Sequence, residues 1–556
     1  MKNKLLLVLL ILSTYSIAQV PNWTWAKNIS SYFNVKQDIT AVDNVGNVYL
    51  VGDFNTTNTS INGITLTNTS EINKADGYIL KFDSLGNLLW HKQIGTLKDE
   101  GINGISTDDD NNIYINGSYG ANITLGTTTL TGANGGSYIA KLNSNGDFIW
   151  AKKIEFPPQE IKADSEGDIY LTGYWYGSQL QLDAVTINVD SSNPTVNNLR
   201  FYVAKLDSNG TCLWAKSGQS IEPNSFGSVA MSVFPDNNGG VAICGRFHHN
   251  TLTLGQVTLT KTTQNNNSSD MFVAKYNSNG VVMWAHNAGS MFQNSTYGYA
   301  VTIDSFDNVY VGGTFANTIQ YGAIMLDSSI SAQYYLVKFD TAGNVIWAKT
   351  SGFGTNGYTV IRSLCTDNIG NIYAAGFGYA STINFNNNIS LSNLGNLGVF
   401  YVTKFNSSGN TVWAKGVPNI DANNYISIDC KSEDDLFVGG SFDKATLQIG
   451  ATTLIKSTAY TDLFIGRLYL QPLSNNEFEN NDLVVFPNPA IDNVYIKNIK
   501  SNSTYKIFNL LGLEVKKGFL QSENSSINLN SLKSGIYLIQ IHDANGNQFA
   551  EKIVIE

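Results

Sequence analysis

Six aspartates, Asp43, Asp108, Asp164, Asp236, Asp304 and Asp367, stand in turn-like clusters rich in Asn, Asp and Gly. Oxygen-rich turns of this kind could hold a hard cation such as calcium. An EF-hand-type loop, however, needs carboxylates or amides at alternate positions, a Gly and a distal Glu, and no copy supplies that set. Asp opens a turn by bonding its own backbone, while Gly and Asn take left-handed positions, and that chemistry accounts for every copy. The run Asp108-Asp109-Asp110 is the strongest exception and reads as solvated carboxylates. Neither a metal nor a cofactor is expected. Six lysines, Lys81, Lys141, Lys205, Lys275, Lys338 and Lys404, could line a channel and collect anions. A Lys at one strand position of a repeat more often pairs with a carboxylate or extends to solvent. His248 and His249 follow a strand, and adjacent side chains in extended chain point to opposite faces, which makes a poor metal site. No Gly-x-Ser-x-Gly elbow, His-Glu-x-x-His helix or phosphate loop occurs. A carboxylate pair for glycoside hydrolysis is assembled only by folding, so no catalytic residue is assigned.

Binding residues are better sought where the sequence does not repeat, because a repeat supplies scaffold and its loops supply function. Aromatics stand among Asn, Ser and Gly at Tyr32-Phe33, Phe292, Tyr297, Phe353 and Tyr358. Phe292, Tyr297, Phe353 and Tyr358 are the candidate ligand-binding loop residues. Their setting suits carbohydrate or protein recognition, and equally a cover over the ends of the scaffold.

The scaffold is declared by its repeats. Trp25, Trp90, Trp150, Trp214, Trp284, Trp347 and Trp413 recur, most of them followed by Ala-Lys. Each of the six lysines precedes a Trp by nine residues, with a turn such as Asp83-Ser84-Leu85-Gly86-Asn87 between them. That pattern is a β-hairpin whose Gly takes positive φ. The six aspartates precede Gly52, Gly117, Gly173, Gly245, Gly313 and Gly376 by nine residues, and Lys431 with Gly440 completes a seventh copy. Two hairpins per unit predict four antiparallel strands, the composition of one propeller blade. The Trp in each outer strand reads as packing between blades rather than a sugar platform. The first Trp strand has no hairpin partner before it, and the last unit ends at Tyr469 without a Trp strand. The expectation is an all-β, seven-bladed propeller closed by the N-terminal strand, which removes an exposed edge. Innermost positions such as Ser106, Thr302, Ser363 and Ser427 are small and uncharged, with Glu160, Lys162 and Asp429 as exceptions.

The composition agrees. Charged residues are 14% of the chain and Gly numbers 50 against 10 Pro, which suits many tight turns. A net charge of −10 without a Lys or Arg run argues against nucleic-acid binding. Lys2 and Lys4, the apolar Leu5 to Leu12 and Ser16-Ile17-Ala18 read as a signal peptide over 1–18. No later segment approaches the ~18 apolar residues of a spanning helix. Cys212, Cys244, Cys365 and Cys430 would permit two disulfides, but all lie in predicted strands and are expected to be buried thiols.

Residues 19–469 are thus assigned to the propeller, 470–483 to a polar linker and 484–556 to a small C-terminal β-sandwich of about seven short strands. Within that last segment Phe486-Pro487-Asn488-Pro489, Gly512, Leu532 with Gly535-Ile536-Tyr537, and Lys552 before an apolar strand are distinctive. The combination resembles the C-terminal sorting domain of type IX secretion substrates from Bacteroidetes. The resemblance makes Pro487, Asn488, Pro489, Gly535, Tyr537 and Lys552 its motif residues. It implies Sec export and outer-membrane passage through the type IX machinery, with the cargo attached at the surface or released. The repeats also resemble bacterial β-propeller repeats, which implies a fold and no activity. The functional expectation is a secreted or cell-surface binding or adhesion module for carbohydrate or protein. The alternative is an extracellular polysaccharide- or peptide-cleaving enzyme with its site at the propeller mouth.

Overall fold

The computed structural model describes residues 20–30, 39–61, 64–71, 74–132, 134–189, 199–219, 227–262, 267–290, 295–328, 331–351, 357–385, 388–392, 398–420, 425–457, 461–470, 483–499, 502–509, 513–521, 524–543 and 548–556. The signal-peptide assignment, Phe292, Phe353, most of the linker and Gly512 lie outside them. The chain divides into two compact units, Met1–Leu470 and Gln471–Glu556. Among the described residues every regular element is a β-strand.

In the first unit the two sequence hairpins become four-stranded antiparallel sheets. The first sheet runs Thr40–Val42, Val48–Phe54, Asp76–Phe82, Leu88–Ile94, from inner to outer edge. Five more follow in chain order, with inner strands Glu100–Thr107, Pro158–Ala163, Ser228–Pro235, Tyr297–Ile303 and Thr359–Thr366. In the next, Ile426–Ser432, Asp435–Phe442 and Asp462–Tyr469 are completed at the outer edge by Asn22–Ser30. Each inner strand packs against the inner strands of its two neighbours, and Thr40–Val42 packs against Ile426–Ser432, so the series returns on itself. Each sheet also carries a feature that the hairpin spacing did not reveal. A short two-stranded ribbon, such as Thr251–Leu254 with Val257–Thr260, is inserted between the second and third strands. Its signature is an apolar alternation broken by a left-handed residue, Gly255 here and Gly322 or Asp183 elsewhere.

The nine-residue Lys–Trp spacing is a register. Lys81 lies opposite Trp90, Lys141 opposite Trp150, and Lys404 opposite Trp413, with a bulge after each Lys. On its other side the Lys faces an aromatic of the second strand in five of the six sheets, Tyr49 in the first, and Ala242 opposite Lys275 in the remaining one. The ammonium of Lys81 sits 4.9 Å from the Tyr49 ring centroid and 3.3 Å from Asp43. Asp43 also accepts bonds from the Tyr49 hydroxyl (3.0 Å) and the Asn47 amide N–H (2.8 Å). Lys81, Lys141, Lys275 and Lys338 pair in this way with the repeated Asp of their own sheets, while Lys205 pairs with Asp168 and Lys404 with Glu433 and Asp434. Burial of this kind is tolerable because both charges are paired and hydrogen-bonded.

The tryptophans join one sheet to the next. Trp25, Trp90, Trp150, Trp214, Trp284 and Trp347 each donate from Nε1 to a carbonyl in the third-to-fourth-strand turn of the following sheet, at 2.8–3.1 Å. The Gly of that turn combines positive φ with a close ring. A Cβ at Gly86 (φ +82°) would fall 2.7 Å from Trp25 Cδ2.

One sequence expectation is corrected. Cys365 and Cys430 form a disulfide, with Cα atoms 6.0 Å apart, and only Cys212 and Cys244 are buried free thiols. The two bonded cysteines are 65 residues apart, one repeat period, so they occupy neighbouring inner strands where the sheets converge. Burial raises the Cys212 thiol to about 11, with the nearby Asp183 carboxylate adding to the effect.

In the second unit Val484–Phe486, Asn493–Lys497 and Asn524–Asn528 form one sheet. Glu514–Leu520, Ser503–Asn509, Gly535–Asp543 and Gln548–Ile555 form another. Alternate residues of both, among them Val494, Ile496, Ile507, Ile539 and Ile553, fill a shared apolar core. Asn488 ties the turn to the last strand. Its amide donates to the Lys552 carbonyl (2.6 Å) and its side-chain oxygen accepts the Val554 N–H (2.9 Å). Tyr537 donates to the Lys533 carbonyl at 2.8 Å. Pro487, Asn488, Pro489 and Lys552 are solvent-exposed.

Candidate functional site

Inner strands leave an unpaired edge, and the side chains flagged along them deal with it. Ser106 Oγ accepts the Ala163 N–H (3.0 Å), Ser232 Oγ that of Val301 (3.1 Å) and Ser363 Oγ that of Ile428 (3.1 Å). Each bond crosses from one sheet to the next, which meets the requirement that buried backbone donors be satisfied. Glu160 follows the bulge of its strand, as Ser232 and Ser363 do in theirs. Its carboxylate accepts the Val233 N–H at 2.6 Å and lies 3.7 Å from Lys162. Asp429 accepts from the Thr40 hydroxyl at 2.6 Å. Ser106, Ser232, Ser363 and Ser427, which meets the Thr40 hydroxyl at 2.7 Å, are thus inter-sheet couplers, and the two carboxylates share that task. The Thr302 hydroxyl, by contrast, is buried without a hydrogen-bond partner among the described residues.

Five of these strands line a recess that opens to solvent. Glu160, Lys162, Ser232, Tyr299, Arg362 and Ser363 are among its lining residues. At its rim a stack of cations and rings crosses three sheets. The Arg246 guanidinium lies 4.9 Å from the Tyr297 centroid. Tyr297 and Tyr299, the latter in the bulge of their strand, are stacked at 5.4 Å with planes 10° apart. Arg362 then lies 3.8 Å from Tyr299 and 5.5 Å from Phe377. Tyr358 packs on the other partner, 5.8 Å from Phe377. Burial raises the Tyr299 and Tyr358 hydroxyls above their ordinary range, with Arg362 pulling the other way in both.

Two of the four sequence candidates therefore meet in one cluster, although neither is on a free loop. Tyr297 begins the inner strand Tyr297–Ile303, and Tyr358 immediately precedes Thr359–Thr366. Sequence reading passed over Arg246, Tyr299, Arg362 and Phe377. A signal existed: only Arg200, Arg246, Arg362 and Arg467 are arginine among 34 basic residues. Arg467 has an evident structural partner, Asp435, held bidentately at 2.7 and 2.8 Å. Among the described residues no carboxylate pairs with Arg246 or Arg362, and Arg246 Nε is buried without a hydrogen-bond partner. His248, beyond this cluster, is buried and its imidazole is lowered to about 4, first by desolvation and then by Arg246. Among the described residues no group of three or more His, Cys, Asp or Glu is placed to hold a metal ion.

Residues 484–556 match the family described as the secretion system C-terminal sorting domain. The chain is 23% identical over 443 residues to an uncharacterised WD repeat-containing protein of Acanthamoeba polyphaga mimivirus, covering 66% of this chain and 31% of that protein. It is 32% identical over 87 residues to an endo-acting ulvan lyase of Formosa agariphila, covering 15% of this chain and 17% of that protein. The chain thus spans less than a third of each of these curated relatives. Among solved structures it is similar to BamB from Moraxella catarrhalis at 10% identity, covering 84% of this chain and 97% of that one, with a TM-score of 0.29.

Proposed function

We propose that this chain is a seven-bladed β-propeller, closed by Asn22–Ser30, that is exported through type IX secretion and binds a saccharide or protein ligand outside the cell. The sorting-domain match over 484–556 supports the route. In this reading residues 1–18 are removed as a signal peptide, and 470–483 link the propeller to a C-terminal β-sandwich. That sandwich presents Pro487, Asn488, Pro489, Gly535, Tyr537 and Lys552 to the secretion machinery.

The observation that carries the binding reading is the stack Arg246–Tyr297–Tyr299–Arg362 at the recess. Aromatic and Arg side chains, held rigid by packing, give a surface with little ordering cost on binding. Glu160 and Asp429 are already engaged in strand coupling, which favours recognition over a carboxylate-pair hydrolase. The test is a glycan array with the full exported chain, run beside Tyr297→Ala and Tyr358→Ala variants whose melting is checked first. Saturable binding that folded variants lose is expected. Binding equally strong in both variants would place the ligand elsewhere and overturn the reading.

A further inference from the structure

We infer that the recess takes the acidic residue of an anionic polysaccharide, a uronate carboxylate or a sulfate seated on Arg362. The inference rests on the binding reading above and names the ligand class for that same site. Arg362 is pinned by ring contacts with Tyr299 and Phe377 and by a hydrogen bond to the Tyr299 side chain, which together occupy few of the five guanidinium N–H donors. Among the described residues it has no carboxylate ion-pair partner, whereas Arg467 has Asp435. Arg246, at the far end of the stack, adds a second such charge and a buried donor without a partner. Two guanidiniums at the ends of one aromatic stack, without a carboxylate partner among the described residues, stand out on a chain of net charge −10. A planar fork fixed in orientation suits bidentate recognition of a carboxylate or sulfate.

The remaining lining favours a sugar acid over an acidic peptide. Glu160 would repel a second carboxylate but accepts hydroxyl groups, and Lys162 beside it donates to them. A polyhydroxylated acid uses both kinds of partner, while a run of carboxylates uses only donors.

The experiment is titration calorimetry of the full exported chain against oligomers of galacturonate, glucuronate and mannuronate and a sulfated galactan. Each is paired with its methyl-esterified or desulfated counterpart, and hexaglutamate is included. The expected result is binding of at least one acidic saccharide, with at least a tenfold loss on masking its acid. The affinity should fall steadily with added salt. Arg362→Lys should lose tenfold or more despite keeping the charge, because a point ammonium cannot replace the fork. Arg246→Gln supplies a second variant should Arg362→Lys fold poorly, and it should flatten the salt dependence. Binding of neutral counterparts as tightly as acids, or indifference to both variants, would overturn this inference while leaving the binding reading standing. Hexaglutamate binding that depends on Arg362, with no saccharide bound, would overturn the sugar assignment. Absence of binding to every probe would overturn this inference and leave a protein ligand as the remaining form of the binding reading.

Discussion

Substituting Gly86 tests whether the Trp latch holds Asn22–Ser30 onto the first sheet. Gly86 has φ +82° and Gly322 has φ +57°. An Ala at either site incurs the left-handed penalty, roughly 1–2 kcal/mol. At Gly322 little more is expected, since the new Cβ meets only Val345 Cγ2 at 3.9 Å. At Gly86 it would stand 2.7 Å from Trp25 Cδ2, so the ring must move. Overpacking of that kind costs about 1–3 kcal/mol. Displacing the ring also weakens the 2.9 Å bond from Trp25 Nε1 to the Ser84 carbonyl, worth about 1 kcal/mol. Gly86→Ala should therefore cost roughly 3–6 kcal/mol against roughly 1–2 for Gly322→Ala. The assay is calorimetric melting of both variants, followed by Gly86→Ala in a Trp25→Ala background. With the ring gone, the extra cost of Gly86→Ala should shrink to the left-handed penalty, a coupling that a double-mutant cycle isolates. Equal losses for the two glycines, or no coupling to Trp25, would refute the latch and with it this account of ring closure.

Three further outcomes are expected. Thiol titration of the unfolded, unreduced chain should find two free thiols, and four would refute the Cys365–Cys430 bond. Replacing both bonded cysteines by Ser should lower the melting temperature, with a loop-entropy ceiling of about 4 kcal/mol for a 65-residue separation. His248, lowered to about 4 mainly by desolvation, must be neutral when folded and protonates more readily when unfolded. Stability should hold above pH ~6.5 and fall as pH drops from there toward 4, by at most about 3 kcal/mol. His248→Gln should flatten that window in pH-dependent urea unfolding, and an unchanged profile would sink the assignment.

The repeat arithmetic was legible because cross-strand pairing turns fixed spacing into fixed register. Nine residues from Lys to Trp place the two opposite each other, and a Gly between them is required twice, by φ and by the Trp of the preceding sheet. The roles of Asp, Lys and Trp as scaffold followed from that regularity. The short ribbon in each sheet was overlooked because its alternation is brief, although Gly255 and Gly322 mark its turn. The disulfide was legible too, since one repeat period separates its cysteines, but the reading stopped at their lying in strands.

The candidate site was only half legible, and the reason is geometric. Tyr297 and Tyr358 could be singled out as irregular aromatics, whereas Arg246, Tyr299, Arg362 and Phe377 sit inside strands that look like scaffold. Arg246 and Arg362 are over a hundred residues apart and belong to different sheets, so no local pattern links them. Sequence alone determined the repeating unit, its register and the character of the C-terminal segment, all of which depend on residues close together in the chain. Only the tertiary structure decided which side chains the convergence of inner strands brings to one recess. Closing the ring sets distances between neighbouring sheets that the spacing within any one of them does not encode.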